Sequence, residues 1–403
     1  MEMLPVTYSI PSWHEKSQLS SGDDFNVAII GAGNVNFGSD EGPWNHSYRL
    51  EQKLGPRLKV VALIDPVLER SADVLAKKRA SFVKSAYEST QTYKSVAEFA
   101  AAAMTTEQKP RMILIGCPPA FRGSDQVGRD IELQLLKLFP GIALFVEKPV
   151  AAGEVARAFT VANAIKQSQV ICSVGYMLRY LKAVQMMKNI IKDNNLTVMC
   201  TIARYACAYE SIAKSHWWNK PLSGGPIVEQ GTHFCDLSRY FGGDVEIASV
   251  QAHSVEWDED PGRLSKIRID ESTIEPENRI PRVTTANWKY KSGAVGTLTH
   301  LVALQGKAYS CEIEVYCDGY LLKLIDPYNA PILHVRRPGS DLDEVYTFEQ
   351  DDPFLSEVST IIDVIEQGSL ASEILSSFED ACRTYELTWA IRLASERSRA
   401  YNK

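Results

Sequence analysis

The fold of this 403-residue chain is decided by the stretch FNVAIIGAGNVNFG, residues 25–38. It is a short, continuous apolar run that ends in glycines, which is typical of a strand covered by helices on both faces. Working outward, SYRLEQKL has the pattern of a helix and LKVVALIDP that of a second strand. This alternation predicts an open, mostly parallel sheet of the doubly wound α/β class.

The alternation continues to about residue 150, so residues 25–150 are predicted to form one doubly wound Rossmann domain. Its further elements are predicted as helices at 67–85, 96–103 and 124–138 and strands at 111–116 and 142–146. Residues 1–24 carry Pro, Ser and Gly without a strong period, and they are predicted to be an N-terminal arm.

Residues 151–403 are predicted to form a second, α/β domain with a large, mostly antiparallel open sheet. It opens with a helix at 153–168 and the strand-like run QVICSVGY. Strand patterns follow at 198–208, 247–257, 282–290, 294–304, 311–317 and 331–336. Helices predicted at 354–366 and 373–398 close the chain, with the alternative that they pack back on the first domain.

Composition excludes several classes of protein. Hydrophobic residues make up 45% and charged residues 23%, which are values of a globular chain rather than a disordered one. The net charge of −7 argues against a broad surface for nucleic acid or anionic lipid, and no apolar run is long enough for a membrane span. The start of the chain lacks the basic and apolar parts of a secretory signal, so a cytoplasmic location is predicted. The eight cysteines and seven histidines show no metal-ligand spacing, and no metal is predicted.

The glycines after the first strand predict a site for a dinucleotide. Gly31 would permit a tight turn, and Gly33 would let the backbone approach a pyrophosphate at the start of the next helix. Asn36 stands where a third glycine is usual, and we explain it by the tolerance of asparagine for unusual backbone angles. The predicted cofactor contacts in this loop are Gly31, Gly33, Asn34, Val35 and Asn36.

Asp65 ends the second predicted strand, where an acidic residue usually binds the ribose hydroxyls of the adenosine. A carboxylate there repels a 2′-phosphate, which favours NAD, while Arg70 leaves NADP possible. The alternative is that Asp65 only caps the following helix.

The loop at 36–47 is longer than the motif requires. Trp44 and His46 are expected beside the phosphates of the cofactor. The loop could cover the dinucleotide and slow its release. Alternatively, it is a surface loop that has no effect on the rate of cofactor release.

Two further strand ends carry candidate residues. Cys117, Pro118 and Pro119 are predicted to form a rigid wall beside the nicotinamide, or simply the turn that starts a helix. Glu147 and Lys148 follow the strand ALFV, at the carboxyl edge where ligands bind in such sheets. A lysine there can hydrogen-bond a substrate hydroxyl and stabilise alkoxide character in the transition state.

The motif GGPIVEQGTHFCD, residues 224–236, places Glu229 and His233 four residues apart near a predicted helix start. Histidine suits proton transfer at neutral pH, and oxidation of an alcohol needs such a base beside a hydride acceptor. Asp236 and Arg239 are explained as a helical ion pair. Trp217 and Trp218 could line a sugar-sized pocket or belong to a buried core, and Trp218 is taken as a substrate contact.

The order of GAGNVNFG, CPPAF, EKPVAAG, VGYMLRY and SGGPIVEQGTHFCDLSRYF resembles the glucose–fructose oxidoreductase / inositol dehydrogenase / MocA (Gfo/Idh/MocA) family over residues 25–330. The resemblance implies a bound NAD or NADP and a second domain whose sheet binds substrate on one side and an oligomer partner on the other. It implies that Lys148 contacts nicotinamide and substrate and that His233 is the acid/base. Glu229 stands where many members carry Asp.

The segment GYMLRY, residues 175–180, resembles the family's GFNRRF-type turn, in which Tyr176 and Arg179 would contact substrate. It lacks the Asn and the first Arg of that turn, so no specific substrate is inferred from the family.

The functional prediction is an NAD(P)-dependent oxidoreductase that acts on the CH–OH group of a sugar, cyclitol or related small molecule. Lys148, His233 and Glu229 are its candidate catalytic residues, and a homodimer is expected. Two alternatives stay open: a reductase of a C=N or dihydrodiol-type substrate, and a dinucleotide-dependent sensor or transcriptional regulator without turnover.

Overall fold

The computed structural model describes residues 22–39, 42–102, 108–368 and 371–401, so the predicted arm lies outside it apart from residues 22–24. The described chain divides into two compact units. The first unit comprises residues 22–180 and 352–382, and the second comprises 181–351 and 383–401. In the described part of the chain, no helix is long and apolar enough to cross a membrane.

The two units contain fourteen strands and eleven helices among the described residues. The strands are β1 (Phe25–Ile30), β2 (Leu58–Ile64), β3 (Gln91–Tyr93), β4 (Met112–Ile115), β5 (Ala143–Val146), β6 (Cys172–Val174), β7 (Val198–Ala208), β8 (Gln251–Val255), β9 (Val283–Lys289), β10 (Val295–Leu304), β11 (Ser310–Cys317), β12 (Tyr320–Ile325), β13 (Ile332–Arg336) and β14 (Asp343–Thr347). The helices are α1 (Asn34–Phe37), α2 (His46–Leu54), α3 (Leu68–Arg79), α4 (Val96–Ala101), α5 (Ile131–Leu138), α6 (Val155–Gln167), α7 (Lys182–Asp193), α8 (Lys220–Ser223), α9 (Thr232–Gly242), α10 (Pro353–Gln367) and α11 (Phe378–Tyr401).

The first unit is built on a six-stranded sheet in the order β3-β2-β1-β4-β5-β6, and every pairing in it is parallel. All six residues of β1 and all four of β4 are buried, as expected for strands covered on both faces. The strand order reverses between β1 and β4, which is where ligands bind in sheets of this class. The prediction of a doubly wound parallel sheet is confirmed.

The first unit extends beyond the predicted boundary at residue 150. β6 pairs with β5 in the same sheet, and the unit continues to Tyr180. It also takes in α10, which packs on α2. Helix α11 begins at Phe378, and the chain changes unit after Cys382.

Several predicted helices are shorter in the structure. The helix predicted at 67–85 ends at Arg79, and the one predicted at 124–138 begins only at Ile131. Gly123 and Gly128 have φ angles of +71° and +83°, and this left-handed backbone prevents a helix before α5. Strand β3 was not predicted, because a three-residue edge strand carries too little pattern.

The second unit is built on an eight-stranded sheet in the order β14-β13-β12-β11-β7-β10-β9-β8. All pairings are antiparallel except that of β10 with β7, so the predicted mostly antiparallel sheet is confirmed. β12 and β14 were not predicted. Helix α9 packs on β7 and β10, and α7 packs on β12. The start of α9 therefore lies against the centre of this sheet.

Candidate functional site

The turn after β1 is tightly packed on one side and open on the other. Gly31 has a φ of +97°, and a Cβ added there would lie 3.0 Å from the backbone nitrogen of Cys117. A Cβ added to Gly33 would meet nothing within 4 Å. Gly31 is therefore required by its backbone and its neighbour, while the surface of the loop at Gly33 leaves room for a ligand to approach.

Asn36 supports this turn from beneath. Its side chain is buried, and Nδ2 donates to the carbonyl oxygens of Gly31 at 2.7 Å and Ile30 at 3.1 Å. Asn36 lies in α1 and does not have a positive φ, so the explanation by unusual backbone angles was wrong. A Cβ on Gly116 would lie 2.2 Å from Asn36 Oδ1, so the amide of Asn36 also packs directly against the residue that follows β4.

Asp65 is buried at the end of β2, where its carboxylate fixes two pieces of backbone. Oδ2 accepts from the amide of Ala32 at 2.8 Å, and Oδ1 accepts from the amide of Val67 at 2.9 Å. Arg70 Nη1 lies 3.5 Å from Oδ2. Asp65 thus organises the glycine loop as well as the turn before α3, and its contact with a ribose remains a prediction.

The turn after β4 is braced by a buried arginine that sequence reasoning missed. Arg122 Nε donates to the carbonyl of Cys117 at 3.0 Å, and Nη1 donates to that of Val150 at 3.2 Å. Pro118 is extended and Pro119 opens a short 3-10 turn. The predicted wall is therefore held in place by its own proline backbone and by the Arg122 guanidinium.

Glu147, at the end of β5, is paired with His46. His46 Nε2 lies 2.5 Å from Glu147 Oε1, and the two residues are 0% and 6% exposed. Burial alone would raise the pKa of Glu147, but the hydrogen bond from His46 and the charges of His46, Lys148 and Arg122 bring it below its usual value. The expectation that His46 lies beside the phosphates was wrong, because its ring is buried against this carboxylate.

Lys148 follows Glu147 at the carboxyl edge of the sheet and is half-buried. Its backbone amide donates to Glu147 Oε2 at 3.0 Å. The peptide bond from Lys148 to Pro149 is cis. The structure thus places Lys148 where the sequence predicted it, on a turn whose backbone is held by the preceding carboxylate.

In the second unit, Glu229 lies in a π-helical turn, Ile227–Gly231, that runs into α9. Its Oε2 accepts from Trp217 Nε1 at 3.1 Å. His233 is the second residue of α9 and is 9% exposed, with its ring edge-on to Tyr328 at 6.0 Å. π-turns of this kind are often found at functional sites. Glu229 therefore lies within a local change of helical geometry, and His233 follows it at the start of α9. The hydrogen bond between Trp217 and Glu229 was not predicted.

Buried aromatic rings lie beneath Glu229 and His233. His300 stacks on Tyr205 at 5.1 Å, and its Nε2 lies 3.1 Å from Gln230 Oε1. Burial lowers the pKa of His300 to about 3, so this histidine is neutral at physiological pH. Burial, followed by the charges of neighbours that include Glu229, raises the pKa of Tyr328 well above its usual value. The floor of this region is therefore uncharged.

Three predicted substrate contacts are deeply buried. Arg179, 3% exposed, donates to the carbonyl of Leu375 and pairs with Asp380 at 2.5 Å. Tyr176 is also buried. Trp218 is 0% exposed and donates from Nε1 to the carbonyl of Ile212 at 3.1 Å, which favours the core alternative for this residue.

Asp236 and Arg239 are buried on α9. Arg239 pairs with Asp244 at 2.8 Å and donates to Thr384, whose hydroxyl donates to Asp236 at 2.9 Å. These contacts extend beyond a pair along one helix and anchor α9 to α11.

Comparison with known proteins decides the family. The family described as "Oxidoreductase family, NAD-binding Rossmann fold" matches residues 25–176, and an oxidoreductase C-terminal domain matches residues 179–320. The uncharacterized protein UNK4.17 of Schizosaccharomyces pombe is 50% identical over 372 residues, which cover 92% of this chain and 91% of that protein. The chain belongs to the Gfo/Idh/MocA oxidoreductase family. It is thus an NAD(P)-dependent dehydrogenase or reductase with an NAD-binding Rossmann domain.

Solved structures share this fold at low sequence identity. UDP-N-acetylglucosamine 3-dehydrogenase GnnA from Acidithiobacillus ferrooxidans superposes with a TM-score of 0.68 at 15% identity, covering 93% of this chain and 98% of its own. The WlbA dehydrogenase from Chromobacterium violaceum, in complex with NADH and UDP-GlcNAcA, gives 0.68 at 14% identity, covering 94% and 96%. An oxidoreductase domain protein from Kribbella flavida gives 0.72 at 16% identity, covering 94% and 98%.

The residues of the first unit of this oxidoreductase fit a dinucleotide. The open surface at Gly33, the tight turn at Gly31 and the buried Asp65 at the next strand end are the features that a pyrophosphate and ribose require. By contrast, no group of three or more His, Cys, Asp or Glu side chains among the described residues could hold a metal ion.

Proposed function

We propose that this oxidoreductase transfers a hydride between the nicotinamide of NAD and a secondary alcohol or ketone of a polyhydroxylated small molecule, such as a sugar or cyclitol. The observation that supports the proposal is that Lys148 directly follows β5, at the carboxyl edge of the sheet, in a chain of an NAD-binding oxidoreductase family. An ammonium group at that edge can hydrogen-bond the reacting oxygen and stabilise its negative charge as the bond order changes.

The cofactor would be held by the first unit. Gly31, Gly33, Asn34, Val35 and Asn36 form the loop for the pyrophosphate. Asp65 would accept from the ribose, and Cys117, Pro118, Pro119, Glu147 and Lys148 would border the nicotinamide. When bound, the nicotinamide supplies the hydride acceptor or donor. Asp65 favours NAD because its carboxylate repels a 2′-phosphate, although Arg70 beside it keeps NADP binding possible.

In the second unit, His233 would move the proton of the substrate hydroxyl. Glu229 would orient or tune His233 and Lys148. Its own carboxylate is held by Trp217, which donates a hydrogen bond of 3.1 Å to one of the two oxygens. Tyr176, Arg179 and Trp218 are left out of the proposed substrate site because their side chains are buried.

A polyhydroxylated substrate is supported by two of the similar structures. GnnA is described as a UDP-N-acetylglucosamine dehydrogenase, and the WlbA dehydrogenase binds UDP-GlcNAcA. UDP-N-acetylglucosamine and UDP-GlcNAcA are both nucleotide sugars with several hydroxyl groups.

The test begins with the dinucleotide that the purified protein retains, identified by absorbance and mass. Turnover is then followed by nicotinamide absorbance against sugars, cyclitols, nucleotide sugars and ketones. We expect His233→Ala to reduce turnover by about 10²-fold or more, the usual contribution of a general acid or base. The exposed histidine His216 provides the matched control, His216→Ala, with unchanged turnover.

Full turnover by His233→Ala would refute the assigned role. Tight dinucleotide binding with no turnover across the panel would contradict the dehydrogenase proposal and support the sensor alternative.

We further propose a cytoplasmic homodimer that forms through the outer face of the second sheet. Ile202 on β7 and Val295 on β10 are 42% and 43% exposed there, an apolar surface that a second copy would cover. The eight cysteines are free thiols, as in a reducing compartment. Sedimentation velocity of the purified protein tests the dimer, and a monomer at micromolar concentration would contradict it.

A further inference from the structure

We propose that His46 is a positioning residue for Lys148: it orients the Glu147 carboxylate that holds the Lys148 backbone. It thereby links the start of α2 to the proposed catalytic lysine, a role that rests on the function proposed above for Lys148.

The start of α2 delivers His46 into the interior of the first unit. Asn45 caps the helix, since its side chain accepts from the amide of Tyr48, and His46 is the first helical residue. The imidazole then reaches Glu147, which is 101 residues later in the chain, at 2.5 Å. A bond this short between two buried groups, one of them ionised, is among the stronger hydrogen bonds in proteins.

The two oxygens of Glu147 have separate tasks. Oε1 is bound by His46, and Oε2 accepts from the backbone amide of Lys148 at 3.0 Å. The opposite side is closed, because a Cβ on Gly175 would come within 3.0 Å of Oε1. Gly175 thus leaves just enough space for the Glu147 carboxylate and restricts its rotation. The hydrogen bond from His46 then selects one orientation of the carboxylate.

His46 itself has one polar anchor in the described structure. Its ring lies edge-on to Phe145 at 5.0 Å and to Phe354 at 6.1 Å. Nδ1 is buried and has no hydrogen-bond partner among the described residues. A proton on Nε2 is donated to Glu147 Oε1, so this carboxylate is the polar partner that fixes the orientation of the ring.

The charged groups that face Glu147 come from three segments. They are His46 at the start of α2, Lys148 next in the chain and Arg122 in the turn after β4. Because these groups lower the pKa of Glu147 against the effect of its burial, the carboxyl is ionised at neutral pH. Removal of His46 would leave a buried carboxylate with one oxygen unpaired, and such a group reorients or takes up a proton.

The experiment measures the backbone amide of Lys148 directly, by hydrogen–deuterium exchange of peptides that span residues 143–150. In His46→Ala we expect this amide to exchange about tenfold faster or more, the lower end of what loss of a hydrogen bond to a charged group causes. His46→Gln keeps a side-chain N–H donor and should stay within about threefold of the unmodified protein. Tyr48→Phe, on the exposed side of the same helix, is the matched control.

Glu147→Gln provides a second, near-isosteric variant in case His46→Ala folds poorly. It should also accelerate exchange at Lys148, because a neutral amide oxygen is a weaker acceptor for the Lys148 N–H than a carboxylate. The double variant should exchange no faster than the faster single one, because both changes weaken the same hydrogen bond. Unchanged exchange in His46→Ala and Glu147→Gln would overturn the proposal. So would His46→Gln exchanging as fast as His46→Ala.

Kinetics add a second readout once a substrate is known. His46→Ala should lower kcat about tenfold while the dissociation constant of NADH changes by less than about threefold, since His46 contacts Glu147 rather than the glycine loop. Weaker NADH binding with normal exchange at Lys148 would assign His46 to the loop instead and overturn the proposal. The exchange experiment needs no substrate, so its failure is distinguishable from failure of the proposed function.

Discussion

The buried amide of Asn36 offers a direct test of how the cofactor loop is supported. Asn36→Ala removes the hydrogen bonds to the carbonyls of Gly31, at 2.7 Å, and Ile30, at 3.1 Å. The Ile30 carbonyl also accepts from the amide of Gly116, so it stays paired and only one bond is lost there. One lost bond costs about 1 kcal/mol, and an orphaned buried carbonyl at Gly31 costs about 1–3 kcal/mol. The sum predicts a loss of about 2–4 kcal/mol in the free energy of unfolding.

The assay is urea denaturation followed by circular dichroism, together with NADH binding by fluorescence. Asn36→Gly, which restores the usual third glycine, should be at least as unstable as Asn36→Ala because glycine within a helix costs up to about 1 kcal/mol more. Asn36→Asp should be worse than Asn36→Ala, since it turns acceptor oxygens towards two carbonyls. The exposed neighbour Asn34 supplies the control: Asn34→Ala should change the free energy of unfolding by less than about 0.5 kcal/mol.

We also expect Asn36→Ala to weaken NADH binding about tenfold, because a mobile Gly31 loop must be ordered when the cofactor binds. A variant as stable as the unmodified protein, with equal NADH affinity, would refute the supporting role of the amide. If Asn36→Gly were the more stable protein, Asn36 would be a simple substitution for glycine rather than a brace.

Two further predictions concern the second unit. Because burial lowers the pKa of His300 to about 3, the unfolded chain takes up a proton below about pH 6.5 that the folded chain does not. Stability should therefore fall as pH drops from about 6.5 to 3, by up to ~1.4 kcal/mol per pH unit, and His300→Gln should remove this part of the slope in urea denaturation at several pH values. Trp217→Phe should lower turnover per folded molecule about threefold to tenfold, since it deletes one hydrogen bond to Glu229. Trp218→Phe should cost about 1–3 kcal/mol of stability while turnover per folded molecule is unchanged; equal effects of the two variants on turnover would contradict the separate roles.

The first strands of the fold, β1 and β2, were predictable because the sequence pattern that indicates them is local. The run ending at Ile30, the glycines after it and the strand ending at Asp65 are contiguous signals, and the structure confirms the parallel sheet they indicate. The position of Lys148 followed in the same way, since a residue directly after a buried strand must lie at the carboxyl edge. The strands that escaped prediction, β3, β12 and β14, lie in short segments next to turns, where neighbouring strands rather than local pattern decide pairing.

The support of the candidate site could not be predicted in the same way. No local pattern indicates that His46 meets Glu147, because 101 residues separate them and only the packing of α2 within the first unit brings them together. The same holds for Asn36, where the sequence showed a missing glycine and the structure shows an amide bonded to two carbonyls. For Arg179 the motif suggested a substrate contact, and only the tertiary structure shows that its side chain is buried and paired with Asp380.

The sequence alone was enough to predict the parallel sheet of the first unit, the glycine loop, the strand-end position of Lys148 and the presence of Glu229 and His233 in one motif. Only the tertiary structure decided which side chains hold those residues in place: His46 for Glu147, Asn36 for Gly31 and Trp217 for Glu229. The physical reason is one of range. Backbone conformation and hydrophobic period are set by residues a few positions apart, whereas buried polar groups must find partners wherever folding brings a donor and an acceptor together.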